Sequence, residues 1–352
     1  VAPFAGFVAD RVQRKWIMAG GALIWSLFTL LTAVTFDFRS LLLRHILVGV
    51  GEATFVAIAP AFLSDMFPES RRCRVLSIFY MAIPVGSACG YLLGGQLGHL
   101  YGWRTPFYVA AAPGFLLAAG LAFLREPERG ASDRLLNTLE RGTLLGLTRN
   151  RAFWSGTFGM AMMTFAVGGL QVWMPTFLSR MRGVPLADAN RAFGAIALFG
   201  GLVATLFGGW LGDRLLRRTR GAHYLVSATG MALAVPFMAV AIYAKGPAMY
   251  PAIFMAVFFL LLNTGPLNAA IVNSVGAGVR ATAVAVNMFT IHLLGDAFSP
   301  TLIGWISDRS DLETGFSSVI FAVVLSAAVL FYGMRFAPDV KPEAEAEAPA
   351  RG

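Results

Sequence analysis

Residues 6–15 read GFVADRVQRK, and residues 209–218 read GWLGDRLLRR. A glycine, an Asp-Arg pair and a closing double basic pair recur at the same spacing, offset by 203 positions. Each copy ends an apolar stretch on the same side of the chain's alternating topology. Self-similarity at this distance marks two homologous halves. Gly6 and Gly209 lack a side chain, so a neighbouring helix can approach closely. Asp10 and Asp213 can face the positive N-terminus of a neighbouring helix. Arg11, Arg14, Arg214 and Arg217 can pair with acidic groups at a membrane surface, with Asp65 and Glu69 as candidates. A single copy would read equally well as a plain basic turn. Two copies in matching places point to contacts that hold one conformation of a moving bundle.

The rest of the chain fits that reading. Of 352 residues, 57% are hydrophobic and only 13% charged, with mean hydropathy +0.67. A soluble domain carries about 25% charged residues. The composition excludes a soluble enzyme, a disordered protein and a nucleic-acid binder, and leaves an all-α polytopic membrane protein. Ten segments reach the roughly 20 apolar residues that a spanning helix needs: 16–36, 41–63, 75–98, 103–124, 152–178, 192–212, 222–244, 248–270, 281–305 and 315–336. They are too long, and too little alternating, for barrel strands. Residues 1–9 read as the end of an eleventh span.

The net charge of +9 is a topology signal. Twenty of the 28 Lys and Arg residues fall in loops on one side and in the C-terminal tail, which marks that side as cytoplasmic. The chain divides into a truncated N-terminal bundle (1–124), a cytoplasmic linker (125–151), a C-terminal bundle (152–336) and a disordered tail (337–352). Leu135, Leu136, Leu139, Leu144 and Leu145 of the linker can line a short interfacial helix, although a charged tether explains them as well. Two spans precede Gly209 after the linker, so two should precede Gly6. The intact protein is then expected to have twelve spans, six per half, with about 50–70 residues ahead of Val1 by analogy with parallel-repeat transporters.

The repeated motif resembles the loop motif of the major facilitator superfamily, found between its second and third helices and again between the eighth and ninth. RHILVGVGE (44–52) is similar to the superfamily's fourth-helix motif, and GSACGYLLGG (86–95) to its Gly-rich fifth-helix motif. A narrower resemblance lies at 292–308, where HLLGDAFSPTLIGWISD looks like the eleventh helix of Spinster-like transporters, and GEA at 51–53 fits the same group. The resemblance implies two six-helix bundles, with the first helix and most of the second missing here. It also implies export of lysolipid-like or other amphiphilic molecules coupled to protons. The family's proton-binding acidic residue in the first helix lies outside this chain.

Ionisable groups inside a span cost roughly 2.5–3.5 kcal/mol each and are functional candidates by default. Only Arg44 and Glu52, in 41–63, and His292 and Asp296, in 281–305, sit away from span ends. Arg44 and Glu52 are about 12 Å apart along a helix and cannot touch. Glu52 can exchange between desolvated and cation-paired states, as a proton carrier must. Arg44 can supply that cation or bind an anionic head group. His292 and Asp296 stack at i, i+4 as a relay or as a plain interhelical bond. Gln171, Asn263, Asn268 and Asn287 are expected to line a path. Pro84, Pro113, Pro175, Pro236, Pro266 and Pro300 are expected to interrupt their spans.

Two cysteines, Cys73 and Cys89, exclude a disulfide framework and a cysteine-based zinc site. No metal or cofactor motif and no Walker A sequence is present. The expected function is secondary transport by alternating access in a bacterial inner membrane, with a cytoplasmic C-terminus. The expected partners are the bilayer, protons and a small amphiphile, and the expected state is a monomer. Alternatives are a proton-linked drug exporter, an organic-anion or sugar symporter, and, more remotely, a membrane-embedded lipid-modifying enzyme.

Overall fold

The computed structural model describes residues 1–130 and 144–338. The described chain is helical throughout. α1 is Ala2–Ala9, α2 Arg14–Thr32, α3 Phe38–Met66, α4 Glu69–Tyr80, α5 Ala82–Tyr101 and α6 Thr105–Phe123. After a short α7 (Leu144–Arg149) come α8 Arg151–Arg182, α9 Leu186–Leu216, α10 Ala222–Tyr243, α11 Met249–Leu261 and α12 Thr264–Asn273. A 3-10 turn, Ala277–Val279, leads into α13 Arg280–Ile291. A π-turn at His292–Asp296, α14 Ser299–Ser307 and α15 Leu312–Gly333 complete the order. Leu135, Leu136 and Leu139 lie outside the described residues, as does the tail from 339. Leu145, in α7, is exposed.

Among the described residues nine helical segments are long and apolar enough to cross a membrane. They correspond to nine of the ten expected spans. The tenth, 75–98, is helical but divided at Met81 into α4 and α5. Proline has no N–H to donate to the carbonyl four residues back. Pro84 therefore leaves the Tyr80 carbonyl without its helical partner, next to the break. Pro266 stands in the same relation to Leu262, between α11 and α12, and Pro300 to Asp296, where the π-turn ends. Pro113, Pro175 and Pro236 were expected to interrupt their helices and do not; each lies inside an unbroken helix.

The chain resolves into two compact units. The first comprises Val1–Phe67, Val85–Leu144 and Val275–Met288, and the second Pro68–Pro84, Leu145–Ser274 and Phe289–Gly352. Each unit thus contains a helix start that belongs, by sequence, to the opposite half. In the first, α2 packs against α3 and α6. Gly21 and Gly51 meet there: a methyl on Gly51 would lie 2.6 Å from the Gly21 carbonyl oxygen and from the Trp25 nitrogen. In the second, α15 packs on α8 and α10, and α4 packs on α9 and α12. Small residues again set the spacing, since a methyl on Gly333 would meet Ser155 Cβ at 2.6 Å. Without a hydrophobic force between helices in lipid, such close packing supplies much of the cohesion.

Aspartates cap two long helices. The Asp37 carboxylate accepts from the Ser40 N–H at 2.9 Å at the start of α3, and Asp311 from Thr314 at 2.7 Å at the start of α15. These bonds hold both carboxyls below the ordinary aspartate range. Their contribution is complete above the unfolded pKa and is lost as the pH falls through the lower folded values.

Gly51→Val is expected to destabilise the protein by about 1–3 kcal/mol through overpacking. Gly49→Val, on the same helix, should have a much smaller effect, because a methyl there would meet no atom within 4 Å. Thermal unfolding in detergent reads the difference, and equal losses would count against the α2–α3 contact as a major packing site.

Candidate functional site

In the first unit the motif aspartate sits on a helix start. Asp10 accepts the backbone N–H groups of Ala281 at 3.0 Å and Thr282 at 2.8 Å, and the Thr282 hydroxyl at 2.5 Å. Both N–H groups belong to the first turn of α13, where helical geometry offers no internal acceptor. One turn earlier, a methyl on Gly6 would lie 2.6 Å from the Ala281 carbonyl oxygen and 2.7 Å from Ala285 Cβ. Any side chain there would push α1 off α13 and draw Asp10 out of reach. Burial raises the Asp10 pKa above 3.8, and the three bonds from Thr282 and Ala281 act against that rise.

Beside this contact lies a buried charge cluster. Asp65, at the end of α3, accepts from Arg14 Nη1 at 2.5 Å, from Arg280 Nη1 and from the Gly130 N–H at 3.1 Å. Arg14 also bonds Glu126 through Nε at 3.0 Å and the Pro127 carbonyl at 3.1 Å. Arg14, Asp65 and Arg280 are each at most 2% exposed. Two cations thus face two carboxylates, which offsets the cost of withdrawing Arg14, Asp65 and Arg280 from water, while Glu126 keeps about a fifth of its side chain exposed.

The second unit repeats the construction. Asp213 accepts the N–H groups of Cys73 at 3.2 Å and Arg74 at 3.0 Å, in α4. Gly209 faces Ser77, whose Cβ a methyl would meet at 2.7 Å. Arg72 Nη1 donates to Asn273 Oδ1 at 2.5 Å. Position by position, Asp213 replaces Asp10, Gly209 replaces Gly6, Arg72 replaces Arg280, and Asn273 replaces Asp65. The second copy therefore has a neutral amide where the first has a carboxylate.

Of the four motif arginines only Arg14 reaches Asp65. Arg11 turns back on its own helix, donating to the Phe7 carbonyl at 2.8 Å with its guanidinium 3.4 Å above the Phe7 ring. Arg214 lies 5.5 Å over the Trp210 ring, and Arg217 is exposed. Arg72, Arg280, Thr282, Glu126 and Asn273 were not anticipated. A signal for three of them was present: LSDMFPESRR (63–72) and IVNSVGAGVR (271–280) align as a second, weaker repeat, each ending on its arginine.

The intramembrane groups separate by environment. Arg44 bonds the Leu31 carbonyl and Thr35 Oγ1 (2.6 Å), so its charge serves the C-terminal end of α2, where a cation is favoured. Glu52 is exposed on α3 and makes no hydrogen bond or ion pair among the described residues. His292 Nδ1 and both Asp296 carboxylate oxygens are 3.0 Å apart, and both side chains are exposed, at 56% and 39%. The pair spans the π-turn. Such turns are frequent at functional sites. The turn presses on α8, where a methyl on Gly168 would meet Asp296 Cβ at 2.6 Å.

Gln171 is exposed. Asn263, Asn268 and Asn287 are buried at 0%, 3% and 1%. Asn263 Nδ2 donates to the Phe259 and Leu260 carbonyls, and Asn268 to the Thr264 carbonyl. These two amides serve the backbone around the α11–α12 break, where carbonyls lose their helical donors, and do not line an open path.

Residues 1–300 match the sequence profile described as Major Facilitator Superfamily. The human protein spinster homolog 1 is 38% identical over 338 residues, covering 88% of this chain and 63% of the relative. The Drosophila melanogaster protein spinster is 32% identical over 323 residues, covering 87% and 53%. The chain thus spans less than two thirds of the length of these relatives. Among solved structures, a bacterial homolog to the human lysosomal transporter Spinster, inward-facing and unoccupied, aligns with a TM-score of 0.61 at 23% identity, over 94% of this chain and 85% of that one. The Escherichia coli fucose:proton symporter FucP aligns with a TM-score of 0.74 at 16% identity, over 97% and 88%. Both alignments bear on the fold.

Two outcomes test the assembled contacts. Asp10→Ala should remove a cap worth about 0.5–2 kcal/mol and speed amide exchange at Ala281 and Thr282 about 2- to 30-fold. Unchanged exchange there would refute the capping role. Asp65→Asn should cost about 3–5 kcal/mol by leaving two buried cations short of a counter-charge. Asn273→Asp, facing Arg72, should cost far less by the same unfolding measurement.

Proposed function

The chain belongs to the major facilitator superfamily, and from that premise we propose that it is a secondary transporter working by alternating access, coupled to protons and exporting a lysolipid-like or other amphiphilic molecule. The observation that carries this reading is the matched pair of aspartate–helix contacts, Asp10 on α13 and Asp213 on α4. Each joins residues from opposite halves of the sequence by hydrogen bonds, with an Arg74–Asp213 ion pair at 4.0 Å beside the second. Each is available only while a helix start stays beside a glycine. A bundle that rocks must break such contacts and remake them without covalent change, at a cost of a few kcal/mol.

In this scheme residues 1–124 and 152–336 act as the two bundles and 125–151 as a cytoplasmic tether. Gly6, Asp10, Arg14, Asp65, Gly209 and Asp213 form the gate. Glu52 is the proton carrier. Its carboxyl has no fixed partner among the described residues, so hydration or a nearby cation can change its protonation during the cycle. The His292–Asp296 pair is a relay or latch on a helix already weakened by the π-turn. The chain works as a monomer in a bacterial inner membrane, with a cytoplasmic C-terminus. The amphiphilic substrate is what the resemblance to Spinster-like transporters implies, and the spinster relatives at 32% and 38% identity support that resemblance.

Reconstituted vesicles holding the protein should show substrate flux driven by a pH gradient. Glu52→Gln should abolish the pH dependence while leaving the protein folded. Flux that keeps its pH dependence in the variant would remove Glu52 from the mechanism. A substrate panel of lysolipids, cationic drugs, sugars and organic anions then separates amphiphile export from symport of a small polar solute.

A further inference from the structure

A second cluster in the second unit shares Asp213 with that gate and adds two groups, Cys73 and His223, that the scheme does not use. Cys73 Sγ, a carboxylate oxygen of Asp213 and a ring nitrogen of His223 lie within 4.8 Å of one another. All three residues are buried, at 0%, 4% and 4% exposure. They come from three helices, α4, α9 and α10. His223 Nε2 is buried and has no hydrogen-bond partner among the described residues. The Cys73 thiol has one weak contact, with the Gly208 carbonyl at 4.0 Å.

A glycine lets the backbone of α9 come close to both donors. A methyl on Gly212 would lie 2.7 Å from Cys73 Sγ and 3.3 Å from His223 Cδ2, the carbon next to Nε2. The sulfur and the edge of the ring that carries the orphaned nitrogen therefore both pack against Gly212. Asp213 already accepts two backbone N–H groups, but a carboxylate has about four lone-pair sites. Lone pairs remain for a further partner.

The geometry points to a binding site for a borderline divalent cation of the zinc class, held by Cys73 Sγ, Asp213 and His223 Nε2. One thiolate, one imidazole and one carboxylate are standard zinc donors. The thiolate and the carboxylate match the charge of the metal, with Arg74 Nε 4.0 Å from the Asp213 carboxylate and buried Arg72 acting on His223 as further cations nearby. Donors around a tetrahedral zinc stand roughly 3.3–3.8 Å apart given its bond lengths, so side-chain shifts of about 1 Å close the site. On binding, the Cys73 thiol loses its proton to solvent as the metal–sulfur bond forms. Three protein donors leave a fourth position for water. The bound ion staples α4, α9 and α10 together around Asp213. The count of two cysteines argued against a cysteine-based site. The fold assembles a mixed one from residues that are 140 and 10 positions apart in the chain.

The test uses the purified full chain in detergent, titrated with Co²⁺ and then competed with Zn²⁺. The site predicts one Co²⁺ per chain, with a sulfur-to-cobalt charge-transfer band and tetrahedral visible bands, both displaced by Zn²⁺. Cys89→Ser should retain the band, because Cys89 is exposed and outside the cluster. Cys73→Ser should abolish it, and His223→Gln should weaken binding at least about 10-fold. No band in the native protein, a band that survives Cys73→Ser, or a band lost in Cys89→Ser would overturn the assignment. X-ray absorption of the zinc-loaded native protein decides the matter if a variant fails to fold. One sulfur with nitrogen or oxygen donors is expected, and a shell without sulfur refutes the site.

Discussion

A buried carboxylate needs donors, and a helix start needs acceptors. At Asp10 and Asp213 the chain answers both requirements with one contact. The first-turn N–H groups of α13 have no intrahelical partner and the Asp10 carboxylate supplies it, whereas the N–H groups that Asp213 accepts, from Cys73 and Arg74, lie in the second turn of α4. The glycine four residues earlier is the geometric condition, because a methyl at Gly6 would sit 2.6 Å from a backbone oxygen. The contact therefore has two separable parts, a charge that attracts and an absence of bulk that permits. Much else is arranged around it, including the close approach of α1 to α13 and of α9 to α4.

The two copies share a plan and differ in charge. The first surrounds its contact with Asp65, Arg14 and Arg280, drawn into a dry place, and with the partly exposed Glu126. Buried ion pairs contribute little net stability, yet breaking one by removing a partner is costly, so such a cluster favours a single arrangement. The second copy keeps the arginine, as Arg72, and answers it with the Asn273 amide. That exchange puts a neutral amide beside Arg72, while Asp213 stands near Cys73 and His223. The asymmetry suits a protein whose two halves carry different loads on a common frame.

Prolines illustrate how far local sequence reaches. Each one removes a helical hydrogen bond wherever it stands. Pro84, Pro266 and Pro300 adjoin real interruptions, whereas Pro113, Pro175 and Pro236 ride within continuous helices. The rule states the local penalty. Neighbouring helices decide whether the backbone bends, breaks or absorbs it. The Asn263 amide shows one compensation, donating to two carbonyls at the broken end of α11. Read along the sequence, the same asparagine resembled a pore-lining group.

From the residues alone came the membrane class, nearly all the helices, the duplicated motif and the pairing of His292 with Asp296. These depend on composition, on apolar length and on contacts four residues apart, which are local quantities. The partners of Asp10 and Asp213, the clustering of Arg14 and Arg280 on Asp65, the inward turn of the asparagines and the meeting of Cys73 with His223 belong to the tertiary structure. Apart from the asparagines, whose own bonds span three or four residues, each joins positions tens to hundreds of residues apart, and no local propensity records which helix start will come to rest beside which loop. Packing in three dimensions makes that choice, because only there does a missing side chain become a place for another helix.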